Sequence, residues 1–148
     1  MRRQISLIML LFLLVSGLTP SLAGKKNKPK EPEFVTVQHI LISFGRKASK
    51  PVDRNKKEAE AFAWELFDRL EAGEDFDAAV KEFTDDSYPG IYTMTNRGAA
   101  RRAKSVTRDG MVPSFGDVAF KLEVGEIGMA KYHGGLSPYG WHIIKRLE

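Results

Sequence analysis

From Phe34 the chain reads FVTVQHILIS, a run rich in β-branched residues that predicts a strand. Alternation sets Val35, Val37, His39 and Leu41 on one face and Thr36, Gln38, Ile40 and Ile42 on the other. Both faces carry apolar residues, so the strand belongs inside a sheet. The period then changes. In NKKEAEAFAWELFDRLEAG, the apolar residues Ala59, Phe62, Ala63, Leu66, Phe67 and Leu70 form one helical stripe. Asn55 with Glu58 predicts a capping box at its start, and Gly73 a stop at its end. DFDAAVKEF repeats the helical spacing with Phe76, Ala79, Val80 and Phe83. IYTMTN reads as a strand, and RGAARRAKSVTRDG as a basic loop without a period. PSFGDVAFKL predicts a short helix opened by Pro113. EIGMAKY and GWHIIKRL close the chain as two strands joined by the turn HGGLSP. The order β-α-α-β-α-β-β predicts an α+β domain with a small, largely antiparallel sheet.

The first residues stand outside that pattern. Arg2 and Arg3, an apolar run from Ile5 to Val15 broken only by Ser6, and Ser21-Leu22-Ala23 fit a secretory signal over residues 1–23, cut after Ala23. An uncleaved anchor is the alternative, but the apolar run is short against the ~20 residues of a membrane span. Residues 24–33, GKKNKPKEPE, hold four lysines, two prolines and no apolar side chain, and read as a flexible linker before a domain over 34–148. There is no cysteine, which excludes disulfides, a thiol nucleophile, a zinc–cysteine site and lipid on an N-terminal cysteine. The net charge of +4 falls to about +2 without the signal, and no nucleic-acid recognition motif accompanies it.

Four stretches carry a resemblance: VQHILIS, FTDDS, MVPSFGDVAFKLEVGEIG and SPYGWHIIKRLE. Together and in this order they resemble a parvulin-type peptidyl-prolyl cis-trans isomerase domain, from Phe34 to Glu148 apart from roughly Ile91 to Asp109. The resemblance implies an FKBP-like superfold: a four-stranded antiparallel sheet surrounded by helices, with the first and last strands adjacent in its middle. It implies that His39 and His142 meet beneath the active site as a hydrogen-bonded pair of neutral rings, joined by the Ser137 hydroxyl. Asp86 falls above that pair, so the implied catalytic set is His39, Asp86, His142 and Ser137. Met111 and Phe115 match residues that grip the proline ring, with Phe120 behind them and Tyr139 at the edge. The implied activity is rotation about X-Pro bonds in exported proteins, with no metal or other cofactor. Its partners are unfolded or extended proline-containing polypeptides, with no nucleic acid and no stable membrane insertion, and the protein acts as a monomer in the periplasm or outside the cell.

Plainer roles exist for the same residues. A histidine in a strand can be structural, Asp86 can cap a turn, and His133 beside two glycines suits an exposed turn. The sequence also departs from the resemblance. PGIYTMTN stands where many parvulins have a glycine-rich GG-x-LG stretch, and the basic loop from Arg97 to Arg108 follows it. A second basic segment places Arg46, Lys47, Lys50 and Arg54 where cations could select a phosphate, although a solvated loop explains them too. The main alternative function is a non-catalytic chaperone using the same apolar groove. A metal-dependent hydrolase built on His39, His142 and Asp86 lacks a local ligand motif. A nucleic-acid binder built on the two basic loops would show a steep salt dependence.

Overall fold

The computed structural model describes residues 30–48 and 51–148. The expected signal over 1–23, residues 24–29 of the expected linker and Lys50 lie outside the described residues. Five strands, β1 (Phe34–Ile42), β2 (Ile91–Thr95), β3 (Val106–Thr107), β4 (Ile127–Ala130) and β5 (Trp141–Arg146), form one sheet. Three helices accompany them among the described residues: α1 (Lys56–Glu71), α2 (Phe76–Phe83) and α3 (Pro113–Ala119). The strand order is β3-β2-β1-β5-β4, so the first and last strands are neighbours in the middle.

The expected four-stranded antiparallel sheet is therefore corrected to a five-stranded mixed one. β2, β1, β5 and β4 pair antiparallel, but β3 adds a short parallel edge to β2, matching Met94 with Val106. β3 and a single 3-10 turn over Arg108–Gly110 emerge from the stretch read as a loop. Two residues are too few to show a period. What orders them is polar: Ser105 Oγ lies 2.7 Å from Thr95 Oγ1 in the interior and 2.7 Å from the Arg102 carbonyl.

α1 starts where its cap demands. Asn55 Oδ1 accepts from the N–H groups of Lys57 and Glu58, and the Glu58 carboxylate accepts from the Asn55 N–H at 2.8 Å. It ends in a Schellman arrangement, with Gly73 N–H donating to the Leu70 carbonyl and Glu74 N–H to that of Arg69. Ala59, Ala63, Leu66 and Leu70 are buried, as the stripe predicts. α3 begins at Pro113 but stops at Ala119, shorter than the pattern suggests.

The two faces of β1 feed two separate cores. Ile40 and Ile42 pack with Trp141, Ile143 and the apolar faces of α1 and α2. Val35 and Val37 pack with Met94, Ile144, Phe115 and Phe120 on the α3 side. His39 and His142 lie on that second face, by the alternation read from the sequence. The β1–β5 register is held at its far end by Gly140, whose φ is +151° and whose missing Cβ would stand 2.2 Å from the Ile42 carbonyl oxygen. We expect Gly140→Ala to force the strands apart, at about 3 kcal/mol or more. Asn55→Ala should lose only one cap, about 1 kcal/mol. Urea denaturation of both variants checks the order; equal losses would mean that Gly140 is not a close-approach point.

Candidate functional site

The site is assembled at the ends of β1 and β5 where they face α3. Register sets His39 opposite Ile144 and His142 opposite Leu41, so the histidines are diagonal neighbours. Their ring centroids are 5.5 Å apart at an angle of 47°. The edge of Phe115 meets both rings, 5.2 Å from His39 and 5.4 Å from His142, and Tyr92 stacks on His39 at 5.5 Å.

This corrects the expected hydrogen-bonded pair. Both ring nitrogens of His142 are buried and have no hydrogen-bond partner among the described residues. The diagonal register brings the rings together as aromatic surfaces, not nitrogen to nitrogen. Ser137 does not join them either. Its hydroxyl donates to the Gly140 carbonyl at 3.1 Å, while its backbone closes a turn with His133. His133 Nδ1 accepts from the N–H groups of Gly135 and Leu136, so this histidine serves the turn.

His39 is oriented by the loop after α2. Nδ1 lies 3.2 Å from the Gly90 carbonyl, and because a carbonyl only accepts, Nδ1 carries the proton. Gly90 has φ +65°, and a Cβ there would stand 2.8 Å from the His39 carbonyl oxygen, so no side chain fits this approach. Nε2 is left facing Asp86 Oδ2 at 3.4 Å. That separation is within ion-pair reach, but Nε2 makes no hydrogen bond of good geometry.

Two adjacent aspartates divide the work. Asp85 is buried, and its carboxylate accepts from both ends of the Arg54 guanidinium at 2.9 and 3.2 Å and from the Ser43 N–H at 2.7 Å. Its own N–H donates to the Leu41 carbonyl at 2.8 Å, and Thr84 Oγ1 accepts from the Leu41 N–H. These bonds fasten the loop to the end of β1 and turn Asp86 outward, one third exposed, above His39. A contact with His39 holds the Asp86 carboxyl below the usual aspartate range, against desolvation and with help from the Ser87 N–H. Asp86 is therefore a carboxylate at neutral pH. Arg54 is spent on Asp85, which removes it from the set considered for phosphate.

His142 behaves in the opposite way. Burial, with His39 adding to it and Asp86 opposing, pushes it down to about 3. It is a neutral ring in the folded protein.

A pocket of about 250 Å³ opens on this floor. Met111, Val112 and Phe115 form its apolar wall, and Asp86 and Tyr139 its rim. Phe120 is absent from the lining: it lies fully buried in the core behind Phe115, which corrects its place in the expected substrate-binding set. Tyr92 was missed by sequence reasoning, although it shares a face of β2 with the buried Met94, and alternation alone could have marked it. A second groove of about 320 Å³ shares Asp86, Tyr139 and His142 and extends toward Leu41, Lys47 and Ala48. A larger cleft of about 430 Å³ lies against residues 30–33 and 96–99 and contains none of these residues. It is larger, but its lining is mostly charged and polar, so the candidate site remains the smaller pocket. Among the described residues no group of three His, Cys, Asp or Glu is placed to hold a metal, and no helix is long and apolar enough to cross a membrane.

The comparisons with known proteins agree with this architecture. The chain is 34% identical over 114 residues to "Chaperone SurA" of Pseudomonas fluorescens, covering 76% of this chain and 22% of that protein. It is 32% identical over 113 residues to "Foldase protein PrsA" of Caldanaerobacter subterraneus, covering 76% of this chain and 28% of that one. The chain thus spans only about a quarter of the length of these curated relatives. The solution structure of TbPIN1 shares the fold, with a TM-score of 0.58 at 20% identity over 78% of this chain and 98% of that one. The family model of the PPIC-type PPIase domain matches residues 21–148, and the chain belongs to that family, the parvulin type of peptidyl-prolyl isomerase domain.

Proposed function

We propose that this domain accelerates rotation about X-Pro bonds in extended segments of exported polypeptides, in the periplasm or outside the cell, and so assists their folding. The observation that carries the reading is an ionised carboxylate, Asp86, at the rim of an apolar pocket walled by Met111 and Phe115. The reaction breaks no covalent bond and needs no cofactor. An amide must lose its resonance, against a barrier of about 18–20 kcal/mol. Shortening tens to hundreds of seconds to milliseconds takes roughly 7 kcal/mol.

The residues supply this differentially. The planar amide carries negative charge on its carbonyl oxygen, and the twisted amide carries less. The slot holds the proline ring, and with it the nitrogen side of the bond, while the preceding carbonyl turns. With the carbonyl near Asp86, the carboxylate repels the planar form more than the twisted form. A dry slot acts in the same direction, because it solvates the charge-separated planar form poorly. Asp86 is one third exposed, so solvent screens its contribution to roughly 1 kcal/mol. His39 positions Asp86, while His142 and Ser137 are architecture beneath it. Tyr139, half exposed, extends the rim toward the residues flanking proline.

The second reading is a chaperone groove that binds chain segments without turning them over. It is favoured by the names of the two relatives and by the exposure of the apolar ring of Tyr139 at the pocket rim. A groove that binds planar and twisted amides equally does not catalyse. Kinetics on a panel of short X-Pro peptides separates the two. Asp86→Asn should lower kcat/KM about fivefold to tenfold with an unchanged melting temperature. Met111→Ala should raise KM about tenfold by removing part of the apolar wall. Peptide binding with no acceleration by the native protein would leave the chaperone reading standing.

The neutrality of His142 has a consequence for stability. The unfolded chain protonates this histidine near pH 6.5, whereas the folded chain resists until about 3. Between those values the unfolded state binds the extra proton, so this group lowers stability as the pH falls. From pH 7 to 5 the native protein should lose about 2 kcal/mol more than His142→Leu. Urea midpoints at both pH values test this, and parallel losses in the two proteins would mean that the buried ring titrates normally.

A further inference from the structure

Arg108 is the only buried arginine or lysine among the described residues. In the sequence it closes a basic loop without a period. Its guanidinium joins three segments, those of Glu31, Asn96 and Asp117, which lie 77, 12 and 9 residues away along the chain. Nη1 donates to the Glu31 carboxylate at 2.5 Å and to Asn96 Oδ1 at 3.1 Å, and Nη2 donates to the Asp117 carboxylate at 2.6 Å. Its guanidinium carbon lies 5.0 Å from the centre of the Phe120 ring. The contact holds the carboxyls of both Glu31 and Asp117 below their usual ranges.

The position of the backbone of Arg108 gives these contacts their meaning. Its carbonyl accepts from the Met111 N–H at 3.2 Å, closing the turn that delivers Met111 to the pocket wall. Its stem runs so close to α3 that a Cβ on Gly116, the residue after Phe115, would stand 3.0 Å from Arg108 Cγ. One side chain therefore sets the spacing between the Met111 turn and the Phe115 helix. It is held from outside by residues preceding β1. Pro32 and Glu33 are themselves tied to Asn96, through the Asn96 side-chain amide at 2.9 Å and its backbone N–H at 2.8 Å. Residues 30–33, expected as the end of a flexible linker, are part of this assembly.

We propose that Arg108 is a positioning residue of the proline pocket, and that Glu31, in the segment before the first strand, completes it. The segment that leads into the domain thereby sets how well the pocket grips its substrate, without touching it. The inference rests on the reading of this pocket as the peptide site, although not on turnover there.

The test uses the full chain with Glu31→Ala, Arg108→Met and the pair together. Glu31 is partly exposed and outside both cores, and Asp117 still pairs Arg108 without it, so its truncation spares the fold. Three quantities are read: KM and kcat on an X-Pro peptide, the Kd of the same peptide by titration, and the methyl resonance of Met111. Glu31→Ala should raise KM and Kd roughly three- to tenfold and shift the Met111 methyl, with kcat within about twofold. Arg108→Met should act in the same direction and more strongly, and adding Glu31→Ala to it should change nothing further. An unchanged Kd and an unmoved Met111 methyl in Glu31→Ala would overturn the proposal. So would an Arg108→Met protein that melts lower yet binds the peptide as tightly as the native chain. If the native protein binds peptide without turning it over, the catalytic reading fails while the Kd comparison still decides this one.

Discussion

The pairing of β1 with β5 is the constraint on which the rest depends. Six residue pairs, from Val37–Arg146 to Ile42–Trp141, join the first strand to the last across nearly the whole length of the domain. The ladder does two things. It separates the core under α1 and α2 from the core under α3. It also brings His39 and His142 to one face two residues out of step, which makes them a packed aromatic floor with Phe115 and Tyr92 instead of a proton relay. A polar group left without a partner in such a floor costs roughly 1–3 kcal/mol. Burial penalises a charge on His142 more still, so the ring stays neutral and the floor offers the pocket above it no positive charge from that side chain.

The charge that matters is on the loop, and it is set in place by a neighbour of the same type. Asp85 spends its carboxylate on Arg54 and the end of β1, and this fixes the direction of Asp86. The same logic holds on the opposite wall. Arg108 is enclosed by carboxylates from two segments, and its backbone turn presents Met111. In both places a partly buried ion pair acts through geometry. Its net contribution to stability is modest, because desolvation offsets much of the attraction, but losing one partner leaves a buried charge.

Much of this was legible in the residues. Period and capping chemistry located α1 to within a residue, because Asn55 and Glu58 leave one good solution. Alternation put His39 with the valines of β1, and the motifs named the central strand pair. What escaped were features set by distant partners. β3 is too short to carry a period and exists because Thr95 and Ser105 meet. Arg54 and Arg108 lie in segments read as basic loops, yet Arg54 pairs with Asp85, 31 residues away, and Arg108 with Glu31, 77 residues away, as well as with Asp117 in α3. Asp85 and Asp86 are identical in type and adjacent, so only the fold distinguishes the structural one from the exposed one. The hydrogen-bonded histidine pair came from the family resemblance, and the diagonal register overturns it.

The central claim is that one pocket both grips a proline ring and lets the preceding bond turn. Two-dimensional exchange NMR of a bound Ala-Pro peptide tests both halves in a single sample. The account expects cis–trans exchange cross-peaks that appear only with the protein, together with contacts from the proline ring to the Met111 methyl and the Phe115 ring. Exchange no faster than in free peptide, or proline contacts that fall elsewhere on the domain, would contradict it.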